Sequence, residues 1–225
     1  MTALEEALWM CQEADKHSFI KGIVAGIDIT SDKLNATLNI LTGHPRIVGI
    51  RHILDLEPDK EWLAREATIK GLEVLQERGL TFDLLLRPHS MHFIPELSRK
   101  LPRLKMVVDH LAKPYIKDGL IEKWAEDMTT IAQNPNIFCK LSGMVTEADL
   151  KAWKEKDFEP YVKHVLNCFG PERCMFGSDW PVCGLAGATY SDVFNMMLRL
   201  VSKLSPGNEA AIFRDNAVRF YGLKI

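Results

Sequence analysis

Asp179 closes a short apolar run, Cys174 to Gly177, and precedes Trp180-Pro181. A carboxylate at the end of a buried strand serves as a general base or a metal ligand, or else caps the following turn. His110 stands in Val107-Val-Asp-His-Leu-Ala-Lys-Pro114, where another apolar strand gives way to a loop. A neutral imidazole there binds a metal or polarises a carbonyl; the plainer alternative is a hydrogen-bonded structural histidine. Arg51, His52 and Arg87 are cations at further strand ends. Guanidinium forks suit a carboxylate or a hydroxyl-rich substrate, unless they are used up in ion pairs with Asp28 or Asp109. Lys140 belongs with them, either as a buried amine or as one side of a structural ion pair.

Other groups carry less. His89 and His92 have the spacing of a metal pair, but Pro88 and Pro95 bracket them in what reads as a loop and short helix, which favours a solvated role. His17, His44 and His164 lie near helix ends or on a helical face. Ser178 lacks the G-x-S-x-G elbow that exposes a nucleophilic serine. The five cysteines are scattered without a Cys-x-x-Cys, which points to free buried thiols rather than disulfides or a zinc knot. No glycine fingerprint follows any strand, so a dinucleotide or nucleoside triphosphate cofactor is not expected.

These residues need elements to bring them together. With 225 residues, 47% of them hydrophobic, the chain has apolar material for a full core and reads as one α/β domain over residues 1–225. Thr2 and Glu5 form a capping-box pattern ahead of Leu4, Leu8 and Cys11, so the sequence opens on an amphipathic helix. Apolar strands are expected at 22–29, 47–50, 82–86, 105–108, 136–139 and 174–177, with helices between them, one from about Asp59, and two more near Tyr190 and Ser205-Pro206. Six βα repeats make a parallel barrel or an open doubly wound sheet. Ionisable residues at nearly every strand end favour the barrel, which gathers its strand C-termini around one mouth.

Val107-Val-Asp-His-Leu-Ala-Lys-Pro114, Cys139-Lys-Leu-Ser-Gly143, Met175-Phe-Gly-Ser-Asp-Trp-Pro-Val182 and Asn216-Ala-Val-Arg-Phe-Tyr-Gly222, with Gly49-Ile-Arg-His52, together resemble the amidohydrolase-related family (amidohydrolase 2) that includes sugar lactonases such as L-fuconolactonase and L-rhamnonolactonase. The resemblance implies a metal-dependent-hydrolase-like (β/α)8 TIM barrel lacking its first two strands. The family's His-x-His strand has no counterpart in this sequence. It implies that Asp179 takes a proton from water attacking a lactone carbonyl, and that His110 stabilises the oxygen gaining charge. Arg51, His52, Arg87 and Trp180 would contact the substrate. His110 and Asp179 would supply part of a site for a divalent metal such as zinc, held weakly or not at all without the His-x-His pair.

A net charge of −2 without a basic block removes the footprint of nucleic-acid binding. No apolar run approaches the roughly 20 residues that span a bilayer, and the first residues do not read as a secretory signal, so a cytoplasmic protein is expected. A sugar lactone is the expected partner, with self-association through exposed strand edges as a further expectation. Two other functions stay open: a non-catalytic form that binds a partner, and a decarboxylase or a hydrolase of dicarboxylic pyrone-like lactones.

Overall fold

The computed structural model describes residues 2–54 and 57–225; Met1, Asp55 and Leu56 lie outside the description. Six strands follow one another in the order of the chain: β1 (Ile23–Gly26), β2 (Ile47–Ile53), β3 (Thr81–Leu85), β4 (Met106–Val108), β5 (Ile137–Leu141) and β6 (Cys174–Phe176). Each runs parallel to the next, in a single sheet open at β1 and β6. This is the βα series expected from sequence, with six strands of the eight in the barrel pattern. Parallel neighbours need a crossover between them, and helices supply it.

Helix α1 (Ala3–Lys16) starts at the expected capping box: the Glu5 amide donates to Thr2 Oγ1, and the Thr2 amide donates to the Glu5 carboxylate. Its buried stripe is Ala7, Cys11 and Ala14, while Leu8 faces outward. Small side chains let the helix lie close on β1. The following helices are α2 (Leu34–Leu41), α3 (Glu66–Glu77), α4 (Ile94–Lys100), α5 (Glu122–Ile131), α6 (Glu155–Phe169), α7 (Tyr190–Leu204) and α8 (Asn216–Tyr221). Among the described residues none is long and apolar enough to cross a membrane.

Several boundaries differ from the sequence reading. β1 ends at Gly26 rather than near Ile29, because Asp28 turns the chain: its carboxylate accepts from the Thr30 amide and hydroxyl. α2 falls in the helical stretch expected between the first two strands, its buried Leu34, Leu38 and Leu41 recurring on one face. β2 continues through Arg51 and His52 to Ile53. The helix expected from Asp59 begins only at Glu66, after a 3-10 turn at Trp62–Ala64. Near Ser205-Pro206 the chain turns at Gly207, φ +86°, before a π-helical stretch at Ala211–Asp215 leads into α8.

The strands alternate between two faces. Ile50, Phe82, Leu84, Met106, Val108, Ile137, Cys139, Leu141 and Cys174 are buried in the main core between the sheet and its helices. Each of the larger aliphatic, methionine and phenylalanine side chains among them contributes about 1.5–3 kcal/mol by leaving water. The five cysteines are free thiols. The inner face carries Val107, Phe138 and Met175, closed over by Phe220 of α8. Asn216 anchors that helix by donating from Nδ2 to the carbonyls of Pro171 and Cys174, both at 2.7 Å. Next along the same inner face come Arg51, Asp83, Asp109 and Lys140.

Candidate active site

The inner face holds a charged layer. The Lys140 ammonium lies 2.5 Å from Asp83 Oδ2 and 2.8 Å from Asp109 Oδ1, and both carboxylates are almost completely buried. Tyr221 of α8 donates its hydroxyl to Asp83 Oδ2 at 2.8 Å, and Arg51 Nη1 stands 3.5 Å from Asp109 Oδ2. Lys140 thus forms the ion pair that was one of its two expected roles, and Arg51 approaches Asp109 while its side chain stays 40% exposed. Burial first, then the charge of Asp109, pushes the Asp83 carboxyl up to about 6 despite Lys140. Burial opposes ionisation of Asp109 too, yet Lys140, His110 and Arg51 outweigh it and hold that carboxyl low. Burial disfavours the Lys140 ammonium, yet Asp83 and Asp109 outweigh it and hold it well above its ordinary value.

Above this layer stand His110 and Asp179. His110 Nε2 lies 3.4 Å from Asp179 Oδ1, and each side chain is about one-eighth exposed, 12% and 13%. Both residues have left-handed backbone, φ 52° at His110 and φ 54° at Asp179. Leu111, Ala112 and Lys113 continue in the same region, so four consecutive non-glycine residues form a left-handed turn. Each costs about 1–2 kcal/mol, and such strain persists only where surrounding contacts hold it. Here Leu111 and Ala112 are fully buried, the Lys113 amide donates to the His110 carbonyl at 2.7 Å, and buried Trp124 Nε1 donates to the Leu111 carbonyl at 2.7 Å. The turn aims the His110 ring at Asp179 instead of into the helical layer. Burial lowers the imidazole below its usual range, although Asp109 and Asp179 oppose this.

On the far side of the ring, His110 Nδ1 is 2.8 Å from Ser142 Oγ. Gly143, φ +65°, lies flat against the imidazole; a Cβ there would meet the His110 ring at 2.7 Å. The Lys-Leu-Ser-Gly motif is legible in the sequence, but the contact of Ser142 with His110 is not.

The remaining sequence-predicted residues divide. Arg87 donates to Glu147 Oε2 at 3.1 Å, and Lys113 lies 3.8 Å from the same carboxylate. The Arg87 guanidinium thus meets Glu147, an acid other than the Asp28 or Asp109 expected from sequence. His52 alternates with Arg51 and turns away from it: it stacks on Trp62, 4.2 Å between centroids, and meets Glu57 Oε2 at 3.0 Å. Among its described contacts none is to His110, Asp179 or Arg51. Trp180 is 67% exposed beside Asp179, joined to Pro181 by a cis peptide. His89 and His92 are exposed on a 3-10 turn (Pro88–Phe93) and border a separate cleft of about 570 Å³ with Tyr115 and Trp124. Sequence reasoning missed Asp83, Glu147 and Tyr221. An acid inside the apolar run 82–86 is a readable signal for Asp83, and Tyr221 stands in the closing Asn216–Gly222 motif, whereas Glu147 carries none.

The comparisons agree with this architecture. A family model described as amidohydrolase matches residues 2–223. An L-fucono-1,5-lactonase of Burkholderia ambifaria is 34% identical over 224 residues, covering 96% of this chain and 76% of that protein. An L-fucono-1,5-lactonase of Burkholderia multivorans is 30% identical over 97% of this chain and 77% of its own length. The crystal structure of an amidohydrolase from Burkholderia multivorans with bound zinc superposes with a TM-score of 0.91 at 29% identity, over 98% of this chain and 80% of that one.

A catalytic zinc normally takes three protein ligands. In this chain His110 and Asp179 offer two, and among the described residues no group of three or more His, Cys, Asp or Glu is arranged to hold a metal. Among the described residues the donor set falls short of the three ligands of a catalytic zinc site, and the roles of His110 and Asp179 are those of the protein's own side chains.

Proposed function

Because this chain belongs to the amidohydrolase family, we propose that it is a hydrolase opening the cyclic ester of a sugar acid, with Asp179 as general base and His110 as donor to the oxygen that gains charge. The observation carrying this reading is the approach of the Asp179 carboxylate to within 3.4 Å of His110 Nε2 at the ends of two strands, both residues in left-handed backbone. The lactonase names of the relatives in Burkholderia support the substrate class.

Asp179 accepts one proton of a water molecule as its oxygen bonds to the lactone carbonyl carbon. The carbonyl oxygen takes up negative charge and is met by the Nε2–H of the uncharged His110 ring. The tetrahedral centre then collapses: the ring C–O bond breaks, and the departing oxygen takes the proton from Asp179. Lactone and water become a hydroxy acid, with Asp179 again a carboxylate.

Charge balance favours a neutral lactone over a dicarboxylic pyrone. Among the described residues four cations, Arg51, Arg87, Lys113 and Lys140, face four carboxylates, Asp83, Asp109, Glu147 and Asp179, and both guanidiniums already meet an internal carboxylate. Arg51, 40% exposed along its side chain, keeps donors for substrate hydroxyls, with Arg87 and the exposed Trp180 indole as further contacts.

A panel of neutral aldonolactones and dicarboxylic pyrone lactones, followed by pH indicator, tests the reading. Turnover of the neutral lactones that falls about 10²- to 10⁴-fold in Asp179→Asn supports it. Undiminished turnover in the folded variant removes Asp179 from the mechanism. A folded chain inactive on every lactone supports the other reading, that of a binding protein using the single-sided edges of β1 and β6.

A further inference from the structure

The Asp179, His110 and Ser142 side chains form a line through one imidazole. Asp179 Oδ1 lies 3.4 Å from Nε2, and Ser142 Oγ lies 2.8 Å from Nδ1. The order is the reverse of a serine hydrolase triad, in which the carboxylate holds Nδ1 and the serine nucleophile lies at Nε2. Ser142 is also only 2% exposed, so its hydroxyl is closed off from a substrate carbonyl. A nucleophilic role for Ser142 does not fit.

We propose that Ser142 is a positioning residue for His110: its buried hydroxyl donates to Nδ1 and holds the ring in the tautomer that carries its proton on Nε2, toward Asp179. A neutral imidazole has one donor nitrogen and one acceptor nitrogen. Nε2 faces a carboxylate, which only accepts, but at 3.4 Å that contact lies beyond ordinary hydrogen-bond reach and fixes the tautomer weakly by itself; the 2.8 Å contact of Ser142 Oγ with Nδ1 is the firmer restraint. Nδ1 is then the acceptor, and among the described residues Ser142 Oγ is the hydrogen-bonding partner it has.

The surroundings are built for this contact. A Cβ at Gly143 would come within 2.8 Å of Nδ1 and 2.7 Å of Cγ, and one at Gly177 within 3.0 Å of Ser142 Cβ and 3.3 Å of its Oγ. Two glycines therefore let β5 and β6 close on the ring and hydroxyl from either side. At 2% exposure, water has no ready access to replace the hydroxyl.

The catalytic consequence rests on the lactonase reading above; the tautomer does not. The whole 225-residue chain is labelled with ¹⁵N-histidine, and long-range ¹H–¹⁵N spectra at pH 8 read which ring nitrogen is protonated. His110→Gln assigns the resonance. The expected result is Nε2–H in the wild type and a mixture of tautomers in Ser142→Ala. Turnover number falls on the order of tenfold in that variant with KM little changed, less than the 10²–10³ of losing an oxyanion donor outright. Nδ1–H in the wild type, or the same single tautomer in both proteins, overturns the proposal. The expected spectra from a chain without lactonase activity would uphold the positioning of the ring and sink the lactonase reading alone.

Discussion

Removing the Lys140 ammonium leaves two buried carboxylates facing each other, and Lys140→Met is therefore the sharpest test of the inner charged layer. The ammonium touches Asp83 at 2.5 Å and Asp109 at 2.8 Å, and Asp83 Oδ1 has no hydrogen-bond partner among the described residues. Even with Lys140 present, Asp83 titrates at about 6 against 3.8 for a free aspartate. At about 1.4 kcal/mol per pH unit, ionising it in the fold costs about 3 kcal/mol. An acid raised in this way binds more protons folded than unfolded. Its contribution to stability is present below the unfolded value of 3.8 and is lost as pH rises through the folded value near 6. Without the ammonium the folded value climbs further and the penalty grows. Breaking a buried pair typically costs about 3–5 kcal/mol. Urea unfolding followed by tryptophan fluorescence at pH 4 to 8 should show Lys140→Met about 3–5 kcal/mol less stable than wild type at pH 7. The gap should narrow towards pH 4 as the carboxylates protonate. Asp83→Asn in the same background should recover part of the loss, because neighbouring substitutions couple. A gap under about 1 kcal/mol at pH 7, or one independent of pH, would refute the reasoning.

Gly143→Ala combines a left-handed φ of +65° with a Cβ 2.7 Å from the His110 ring; lactone turnover should fall at least tenfold and stability by about 1–3 kcal/mol, and a fully active variant would show that the ring tolerates displacement. Trp124→Phe removes the buried donor to the Leu111 carbonyl, and chemical denaturation should register a loss of about 1–3 kcal/mol as that acceptor is left unsatisfied. With two donors among the described residues in place of three, zinc added to the purified chain should be stripped by a chelator of micromolar affinity; stoichiometric metal surviving that treatment would reveal a donor set larger than His110 and Asp179.

The βα rhythm, the order of the strands and the residues at their ends were legible along the chain because each depends on neighbours a few positions apart. Apolar runs punctuated by Asp109-His110 and Ser178-Asp179 locate the strand ends whatever the tertiary arrangement. Capping at Thr2 and Thr189 is equally local, each side chain meeting an amide three residues on. The partners of those strand-end groups were not legible. Ser142 meets His110 across 32 residues, Lys140 meets Asp83 across 57, Arg87 meets Glu147 across 60, and Tyr221 reaches Asp83 across 138. Which face a residue takes depends on where its strand begins, since a shift of one residue exchanges the faces. That is why Arg51 and His52, adjacent and both polar, part company: β2 extends through them, sending Arg51 to Asp109 and His52 to Trp62 and Glu57. Residue types and periodicity sufficed to choose the strand ends as the place for chemistry; the closing of distant strands side by side decided which charges neutralise one another and which imidazole faces the carboxylate.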